Sequence, residues 1–516
     1  MPVELPGYRV VDSPATVAED GLRNDVAAFL GSTQRGPLNT AVRVVGRQDF
    51  AAVFGGSHPG TIPRALAAYF SNGGEVAWVV RAGRGGRPAA AVVELGDVAA
   101  GDGWSKDGPR RMSFPGTGLQ IVATSPGEWA NGTVVRIVYR AYGSRCAPEL
   151  DLAVWAPGMV PVRRTGLASD ELLDALTSTG VVSGSFTGLR IEGRPDDASG
   201  PAQLTWVLTL RDGVEPEMGA PELRAAVEVQ AQIEEIALVA VPDLSEILPD
   251  LDAANDVLFE MVSSAAATQD RLVVVSVPAN DVLGLTEWST RVESSIVDPV
   301  HRRAMAMWFP YLLAERLNPS GPERFRRTDP VGHVCGRIAE LDRERGSGCS
   351  PANTLVSDAI DVAVPLPPTL QAIALDGQIN LVRQRVGGGL ELWGARTLDR
   401  DAGRYVAHRR LVHRIVRASR RVVEPLVFDR NDRLLWFSVA RAISGVLMEA
   451  FRSGSLQGAT PDEAYRVRCD ENTNPQDVID AGQAVCEIDL APAAPMEFIT
   501  LRMTIGAEGL LEVVDQ

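Results

Sequence analysis

The chain contains 516 residues, of which 45% are hydrophobic and 22% are charged, and its formal net charge at pH 7 is −16. This length exceeds what one hydrophobic core ordinarily organises, so it predicts several domains. The acidic balance argues against a nucleic-acid-binding function, because neutralising phosphates requires a basic surface.

The sequence also argues against membrane insertion and against a disulfide framework. No uninterrupted apolar run approaches the roughly 18 residues that indicate a membrane span. The N-terminus lacks the basic and apolar parts of a signal peptide, so we expect synthesis and assembly in the cytoplasm. The five cysteines are an odd number spread over a long chain, which favours free, buried or partly buried thiols.

The chain opens with an expected arm and a compact α/β segment. Prolines and glycine exclude a helix from residues 1–20, although Tyr8 to Val11 can form a short strand. The apolar pattern then predicts four elements. They are a strand over 26–31, helices over 47–54 and 62–71, and a strand over 76–81.

The middle of the chain changes character twice. Residues 85–215 are rich in glycine, proline and short apolar runs, which predicts a β-rich inserted domain with one helix over 169–177. After residue 221 the pattern alternates again and predicts a mostly parallel sheet flanked by helices. The expected elements are helices over 223–235, 252–268 and 288–298, strands over 236–241 and 271–277, and either a strand or a helix over 304–313.

No set of residues predicts an active site, a cofactor or a metal ion. The glycine-rich loop after residue 82 lacks the phosphate-loop pattern. His333, Cys335 and Cys349 could offer three metal ligands, but zinc-type spacing is absent, so structural thiols are favoured. None of the five histidines accompanies a serine in a nucleophile-elbow motif. We therefore expect a protein that is not an enzyme, with no cofactor.

A final α/β unit, beginning near Trp393, carries the most informative segments of the chain. The first is a helix predicted over 404–423, which has seven arginines and no acid between Arg404 and Arg421. Helical spacing places Arg410, Arg414, Arg417 and Arg421 on one face, opposite an apolar side. A solvated face normally mixes both charge signs. We favour an interface with an acidic partner over a solvated face.

The C-terminus has the period of a β-strand. Ile499, Leu501, Met503 and Ile505 alternate with polar residues, and 510–514 can pair again after a turn. A terminal strand ordinarily closes its own sheet. Because both ends of this chain can form strands, addition to a neighbouring subunit is a second possibility.

Motifs along nearly the whole chain resemble those of the sheath proteins of contractile phage tails and related injection systems. The resemblance is weakest between residues 135 and 215. No single motif is decisive, but their order is specific. The matching stretches include Val26-Ala-Ala-Phe-Leu-Gly31, Ser125-Pro-Gly-Glu-Trp129, Pro330-Val-Gly-His-Val-Cys-Gly336, Trp393-Gly-Ala-Arg-Thr-Leu398, Phe428-Asp-Arg-Asn431 and Cys469-Asp-Glu-Asn-Thr-Asn474.

The resemblance implies an α/β, multidomain (α+β) fold: a subtilisin-like α/β domain, a C-terminal α/β sheath domain, a β-rich inserted domain and extended terminal arms. Subtilisin-like here describes shape, since the protease's serine signature is absent. The implied ranges are an N-terminal arm (1–20), an α/β segment packing with the C-terminal domain (21–95), the inserted outer domain (96–215), the subtilisin-like domain (216–395), the C-terminal domain (396–505) and a C-terminal arm (506–516).

The implied function is that of a structural subunit, which polymerises as stacked hexameric rings around an inner tube and contracts to drive the tube through a target envelope. Its partners would be copies of itself, the tube, the baseplate and the tail-terminator or cap proteins, in a particle that is released or stays inside the cell. The alternatives are a hydrolase using the subtilisin-like domain and a subunit of a non-contractile tail.

Two assembly surfaces are expected. Terminal arms would add strands to neighbouring subunits, and the arginine face of Arg410, Arg414, Arg417 and Arg421 would contact the tube. The arm residues expected at subunit interfaces are Val3, Tyr8, Val10, Val11, Ile499, Leu501, Met503, Ile505, Leu511 and Val513.

Overall fold

A computed structural model gives the fold of the chain. It describes residues 23–56, 60–94, 98–99, 111–112, 118–141, 149–168, 171–186, 202–278, 282–315, 325–401, 403–426, 429–492, 499–505 and 511–515. The N-terminal arm, with Val3, Tyr8, Val10 and Val11, lies outside the described residues.

The first described segment forms the two strands and two helices that the sequence predicts, together with one further strand, the second in chain order. They are β1 (Ala27–Gly31), β2 (Ala41–Val45), α1 (Gly46–Phe54), α2 (Thr61–Ser71) and β3 (Val76–Arg81).

The inserted region is β-rich, and the one α-helix among its described residues lies where the sequence predicts a helix. Its elements are β4 (Ala90–Glu94), β5 (Val98–Ala99), β6 (Arg111–Met112), β7 (Gly118–Ala123), β8 (Val134–Ala141), β9 (Glu149–Trp155), β10 (Val162–Leu167), α3 (Leu172–Thr177), β11 (Val182–Phe186) and β12 (Ala202–Thr209).

Strand β4 pairs with β7 in a three-stranded sheet, so the insertion already includes Ala90 instead of beginning at 96. Its two connections to the rest of the chain pair with each other. The backbone N–H of Arg84 donates to Glu217, and that of Arg87 donates to Val214, at 2.9 and 3.0 Å. These bonds form a two-strand stem.

The central region alternates helices and strands. Its elements are α4 (Ala220–Ala231), β13 (Leu238–Ala240), α5 (Leu244–Ile247), α6 (Leu251–Thr268), β14 (Leu272–Ser276), α7 (Val282–Ser295), α8 (Pro299–Arg302), β15 (Met305–Phe309), β16 (Leu312–Glu315), β17 (Phe325–Thr328), α9 (Val331–Arg345), β18 (Leu355–Val356), β19 (Asp361–Val362), α10 (Pro368–Asp376), β20 (Ile379–Gln384) and β21 (Leu390–Trp393). The segment predicted as either strand or helix over 304–313 is therefore two strands.

Nine of the described strands form one sheet in the order β18-β21-β20-β15-β14-β13-β1-β3-β2. The strands from β20 to β3 in that order are parallel, and β2 and β21 are antiparallel to their neighbours. Every residue of β1, β13, β14 and β15 is buried, as parallel strands covered by helices on both faces require. Separate apolar cores fill the two faces.

The first described segment is part of this sheet, because β1 lies between β3 and β13. Strand β1 and the first five residues of β3 are apolar runs, which need a neighbour on each side and helices on both faces. The segment also contacts the C-terminal region, where the Asn24 side chain donates to the Arg410 oxygen at 3.1 Å, and the expected packing of 21–95 with the C-terminal domain stays a prediction.

Two helices on one face of this sheet approach unusually closely. A side chain at Gly332 or Gly336 of α9 would meet the α2 backbone, with a Cβ placed 2.2 Å from the Ala65 oxygen or 2.5 Å from the Tyr69 oxygen. Glycine is therefore required at both positions for α9 to lie against α2.

The C-terminal region places two long helices against a small antiparallel sheet. Its elements are α11 (Val406–Val423), α12 (Arg433–Arg452), α13 (Pro461–Ala464), β22 (Tyr465–Arg468), α14 (Gln476–Asp480), β23 (Ala484–Leu490), β24 (Ile499–Ile505) and β25 (Leu511–Asp515). The sheet order is β22-β23-β24-β25.

Candidate functional site

Helix α11 lies in the interior of the subunit, between the central region and the C-terminal sheet. Leu411, Val412, Ile415 and Val416 are buried in the C-terminal core. The same core takes Val439, Ile443 and Leu447 from α12 and Cys486, Ile488 and Leu490 from β23. The apolar side predicted for this helix is therefore confirmed, but its opposite side does not face solvent along its length.

Arg410 is the most buried of the predicted arginine face, with 1% of its surface exposed. Its guanidinium donates to the backbone oxygens of Ala237 (2.8 Å) and Asn24 and forms an ion pair with Asp342 on α9. Burial raises the pKa of Asp342 to about 6, although Arg410 opposes the shift. One side chain thus joins α11 to the entry of β1, to β13 and to α9.

Farther along α11, a second arginine group anchors the helix to the central region. Arg417 donates to the Glu234 oxygen at 2.5 Å, and burial lowers the pKa of Arg417 to about 10. Arg420 pairs with Asp270 at 2.7 Å, and Arg271 binds the same carboxylate at 2.8 Å. Burial alone would raise the pKa of Asp270, but the two arginines hold it below its usual value.

The expectation of one exposed arginine face is therefore wrong for Arg410, which is buried, and Arg417 is only partly exposed. Their acidic and carbonyl partners belong to distant segments of the same chain, which the local sequence pattern does not reveal. Arg414 is mostly covered and lies 3.9 Å from Glu449 on α12, whereas Arg421 is exposed. Only Arg421 remains a fully exposed tube-facing candidate.

Replacing the buried Arg410 and the exposed Arg421 in turn should have different effects on stability. At neutral pH, Arg410→Ala should lower the free energy of unfolding by about 3 kcal/mol or more, because Asp342 loses its buried partner. Arg421→Ala, the matched control on the same helix, should change it by less than about 0.5 kcal/mol. Urea unfolding followed by fluorescence measures both. Equally small losses of stability in the two variants would contradict a stabilising role for the buried Arg410–Asp342 ion pair.

Helix α12 has one covered side and one exposed side. It begins at a cap in which the Asp432 carboxylate accepts from the backbone N–H groups of Leu434 and Leu435 at 2.9 and 3.2 Å. Its inner side buries Trp436, Val439, Ile443, Leu447 and Ala450. On the outer side Leu434 and Phe437 are 76% and 67% exposed. Large apolar side chains exposed together indicate a contact surface.

By its length and composition alone, α12 could also cross a membrane, since its mean hydropathy over an 18-residue window is 1.5. Of that window, 28% is buried. This is weak evidence for a span, because the inner side of α12 already packs against the C-terminal core.

The terminal strand pairs within its own chain. All seven residues of β24 pair with β23, from Ala484 opposite Ile505 to Leu490 opposite Ile499. Strand β25, with Leu511 and Val513, then pairs with β24 and forms one edge of the sheet. Ile499, Leu501, Met503 and Ile505 therefore close the subunit's own sheet, and strand exchange between subunits stays a prediction.

A buried polar cluster lies where the parallel strands end, which is the edge where α/β proteins commonly place their sites. Ser276 at the end of β14 donates to Asp329 at 2.6 Å, and the Asp243 backbone donates to the same carboxylate at 2.8 Å. Arg64 donates to Asp243 at 2.8 Å. The Ser276 hydroxyl thus donates to a carboxylate and not to a histidine, which is not the arrangement of a serine hydrolase.

Burial, reinforced by the neighbouring Asp329, raises the pKa of Asp243 to about 8. The folded state therefore holds a proton on Asp243 that the unfolded chain releases near pH 4. Raising the pH from about 4 to about 8 should lower the contribution of this carboxyl to stability, by at most about 1.4 kcal/mol per pH unit.

Asp243→Asn should remove this dependence, so its stability relative to the native chain should rise as the pH increases from about 5 to about 8. The midpoint of thermal unfolding across that range measures the effect. Asp250→Asn is the matched control, because Asp250 is exposed and asparagine caps α6 equally well. Parallel pH curves for the native chain and Asp243→Asn would contradict the assignment.

His333, Cys335 and Cys349, considered above as possible metal ligands, have the surroundings of structural side chains. His333 and Cys335 are buried within α9, and burial lowers the pKa of His333 and raises that of Cys335. The partly exposed Cys349 contacts the Arg345 carbonyl at 3.6 Å. Within the described ranges, no three His, Cys, Asp or Glu side chains come together as a metal site.

Comparison with known proteins identifies the fold. No protein-family model matches the chain. The structure of a sheath tail protein from Listeria innocua superposes with a TM-score of 0.63 and 12% identity, covering 94% of this chain and 95% of that one. The helical sheath of the anti-feeding prophage in its contracted state gives a TM-score of 0.54 and 19% identity, covering 92% and 91%. The chain has the fold of contractile tail sheath proteins.

The sequence comparison points to the same proteins over a shorter stretch. The tail sheath protein of Vibrio phage KVP40 is 27% identical over 184 residues, which is 35% of this chain. The chain spans about a quarter of the length of that curated relative, 26%. The sheath resemblance stated from the sequence motifs is confirmed.

Proposed function

We propose that this protein is a structural sheath subunit of a contractile injection apparatus. The observation that carries the proposal is the superposition of more than nine-tenths of the chain on sheath structures, one of which is the helical sheath of the anti-feeding prophage in its contracted state. The subunit polymerises with itself around an inner tube, attached to a baseplate at one end and a cap at the other. It is synthesised and assembled in the cytoplasm.

The energy of contraction is stored in contacts between subunits, as a metastable packing that relaxes to a more stable one. The buried Arg410 and the partly buried Arg417 and Arg420 fasten α11 to the central region through Asp342, Glu234 and Asp270. The central and C-terminal regions therefore rotate as one rigid body. The subtilisin-like shape of the central region serves as a scaffold in this motion.

Connections between rotating subunits are provided by backbone strands at the chain ends. Because β24 lies between β23 and β25, the edge strands of this sheet are β22 and β25, and β25 is the edge formed by the end of the chain. An exposed sheet edge offers unpaired backbone groups to an extended segment such as the N-terminal arm. Head-to-tail contacts of this kind generate a helical polymer and not a closed dimer.

The purified chain should form hollow cylinders, alone or with its tube protein, visible by negative-stain electron microscopy. Deleting 511–516, which removes β25, should abolish them while leaving a folded monomer, because β22, β23 and β24 remain paired. Deleting 1–12 should have the same effect. Normal cylinders from either deletion would contradict strand addition. Monomers from the full chain, even with the tube protein, would contradict the sheath function itself.

The surface that faces the tube is formed by α12, together with Arg421. Helix α12 is the long helix of the C-terminal region with an uncovered apolar side, at Leu434 and Phe437. The arginines of α11, expected earlier to carry this contact, are mostly engaged inside the subunit. Arg421 retains its exposed charge and can add a salt-sensitive attraction to an acidic tube.

Phe437→Glu should prevent assembly on the tube without lowering the thermal midpoint of the monomer, because the side chain is exposed. The matched control is Val386→Glu, the same kind of change at a fully exposed apolar residue of the central region. Arg421→Glu should weaken tube binding mainly at low salt. The measure is the fraction of protein that co-sediments with preformed tubes. Equal co-sedimentation of Phe437→Glu and Val386→Glu would exclude α12 as the tube contact.

A further inference from the structure

The register of β22 and β23 places two cysteines opposite each other. Tyr465 pairs with Leu490 and Arg468 with Glu487 in this antiparallel ladder. One further step places Cys469 opposite Cys486. Both thiols belong to the C-terminal core, where Cys486 is completely buried and Cys469 is partly exposed.

The hydrogen-bond pattern shows which kind of pair this is. The backbone N–H of Ala491 donates to Ala464 at 2.9 Å, so this opposed pair is of the hydrogen-bonded type. The two types alternate along an antiparallel ladder. An odd number of steps separates Ala464 from Cys469, which makes Cys469 and Cys486 a non-hydrogen-bonded pair. Such pairs have Cα atoms about 4.5 Å apart, inside the range of roughly 4.4–6.8 Å that a disulfide spans.

Asn474 keeps the ladder in register beyond the end of β22. Its side-chain amide accepts from the Val485 N–H at 2.5 Å and donates to the Val485 oxygen at 3.0 Å. It also donates to the Asp470 oxygen at 3.1 Å, and the Asp470 N–H donates to Thr473 at 3.0 Å. These bonds hold the polar loop beside β23, so Cys469 stays opposite Cys486.

We propose that Cys469 and Cys486 form a redox-sensitive pair that closes to a cross-strand disulfide when the protein meets a low-molecular-weight disulfide such as oxidised glutathione. The pair is reduced in the cytoplasm, where thiol systems keep cysteines free, and oxidises in a released particle. The inference does not depend on polymerisation, because both cysteines belong to one subunit.

Cys469 is the attacking thiol. Its pKa is lowered by the hydrogen-bonded Cys486 thiol, against the raising effect of burial, and it is the one of the two with access to solvent. Its thiolate attacks one sulfur of oxidised glutathione and releases one glutathione thiol. Cys486 then attacks the sulfur of Cys469 in this mixed disulfide. The proton of Cys486 passes to the departing second glutathione, so two protein thiols and one disulfide become one protein disulfide and two thiols.

The disulfide would link the polar loop covalently to β23, the strand that also pairs with β24. A cross-link within the folded sheet restricts the unfolded chain and raises stability without moving the strands. Oxidation would therefore stiffen the sheet that presents the proposed edge β25, after assembly is complete.

The test treats the native chain with oxidised glutathione and then measures free thiols, intact mass and linked peptides. We expect loss of two thiols, a mass lower by two hydrogen atoms, a peptide linking Cys469 to Cys486 and a higher thermal midpoint that dithiothreitol reverses. Cys349→Ser, which removes a partly exposed cysteine outside the pair, should behave identically. Cys486→Ser should stop at a glutathione adduct on Cys469.

A stable glutathione adduct on Cys469 in the native chain would overturn the proposal, because Cys486 would then have failed to resolve it. So would an unreacted Cys469 in protein whose circular dichroism shows the native fold. Failure to polymerise would bear only on the sheath function and would leave these readouts unchanged.

Discussion

The orientation of the C-terminal region depends on a charge that is kept out of water. Arg410 is paired with Asp342 and donates to the carbonyl oxygens of Ala237 and Asn24. A buried ion pair ordinarily gains little over apolar packing, and its loss is far more costly than its presence is favourable. Its value here is geometric. Planar guanidinium bonds to three separate segments allow one orientation of α11, whereas apolar contacts alone would tolerate several.

The contacts of Arg410 depend on how the neighbouring helices and strands are packed. Glycine at 332 and 336 lets α9 lie against α2, and this position of α9 brings Asp342 to the arginine. The two carbonyl oxygens belong to Asn24 and Ala237, which lie just before the fully buried strands β1 and β13. The small residues and the charged ones therefore serve one purpose, which is to bind the central sheet and the C-terminal helices into a single body.

Much of the fold could be predicted from the sequence, because the spacing of apolar residues shows which side of a helix or strand is buried. The strands β1, β3 and β14 and the helices α2, α6 and α11 lie within a few residues of their expected positions. The role of the arginines could not be predicted. Spacing shows which side chains share a helix face, but not that Asp342 and Asp270 from distant segments lie against it. The pairing of Cys469 with Cys486 was missed for a similar reason, since strand register is set by the tertiary fold.

The stem pairs Arg84 with Glu217 and Arg87 with Val214 at the base of the β-rich insertion. The chain leaves and re-enters the central region at adjacent points, so the whole β-rich insertion can be exchanged, enlarged or removed without changing the spacing of the strands beneath it. The β-rich insertion is therefore a replaceable module. Adhesive or display modules could be grafted between these two points while the machinery beneath keeps its geometry.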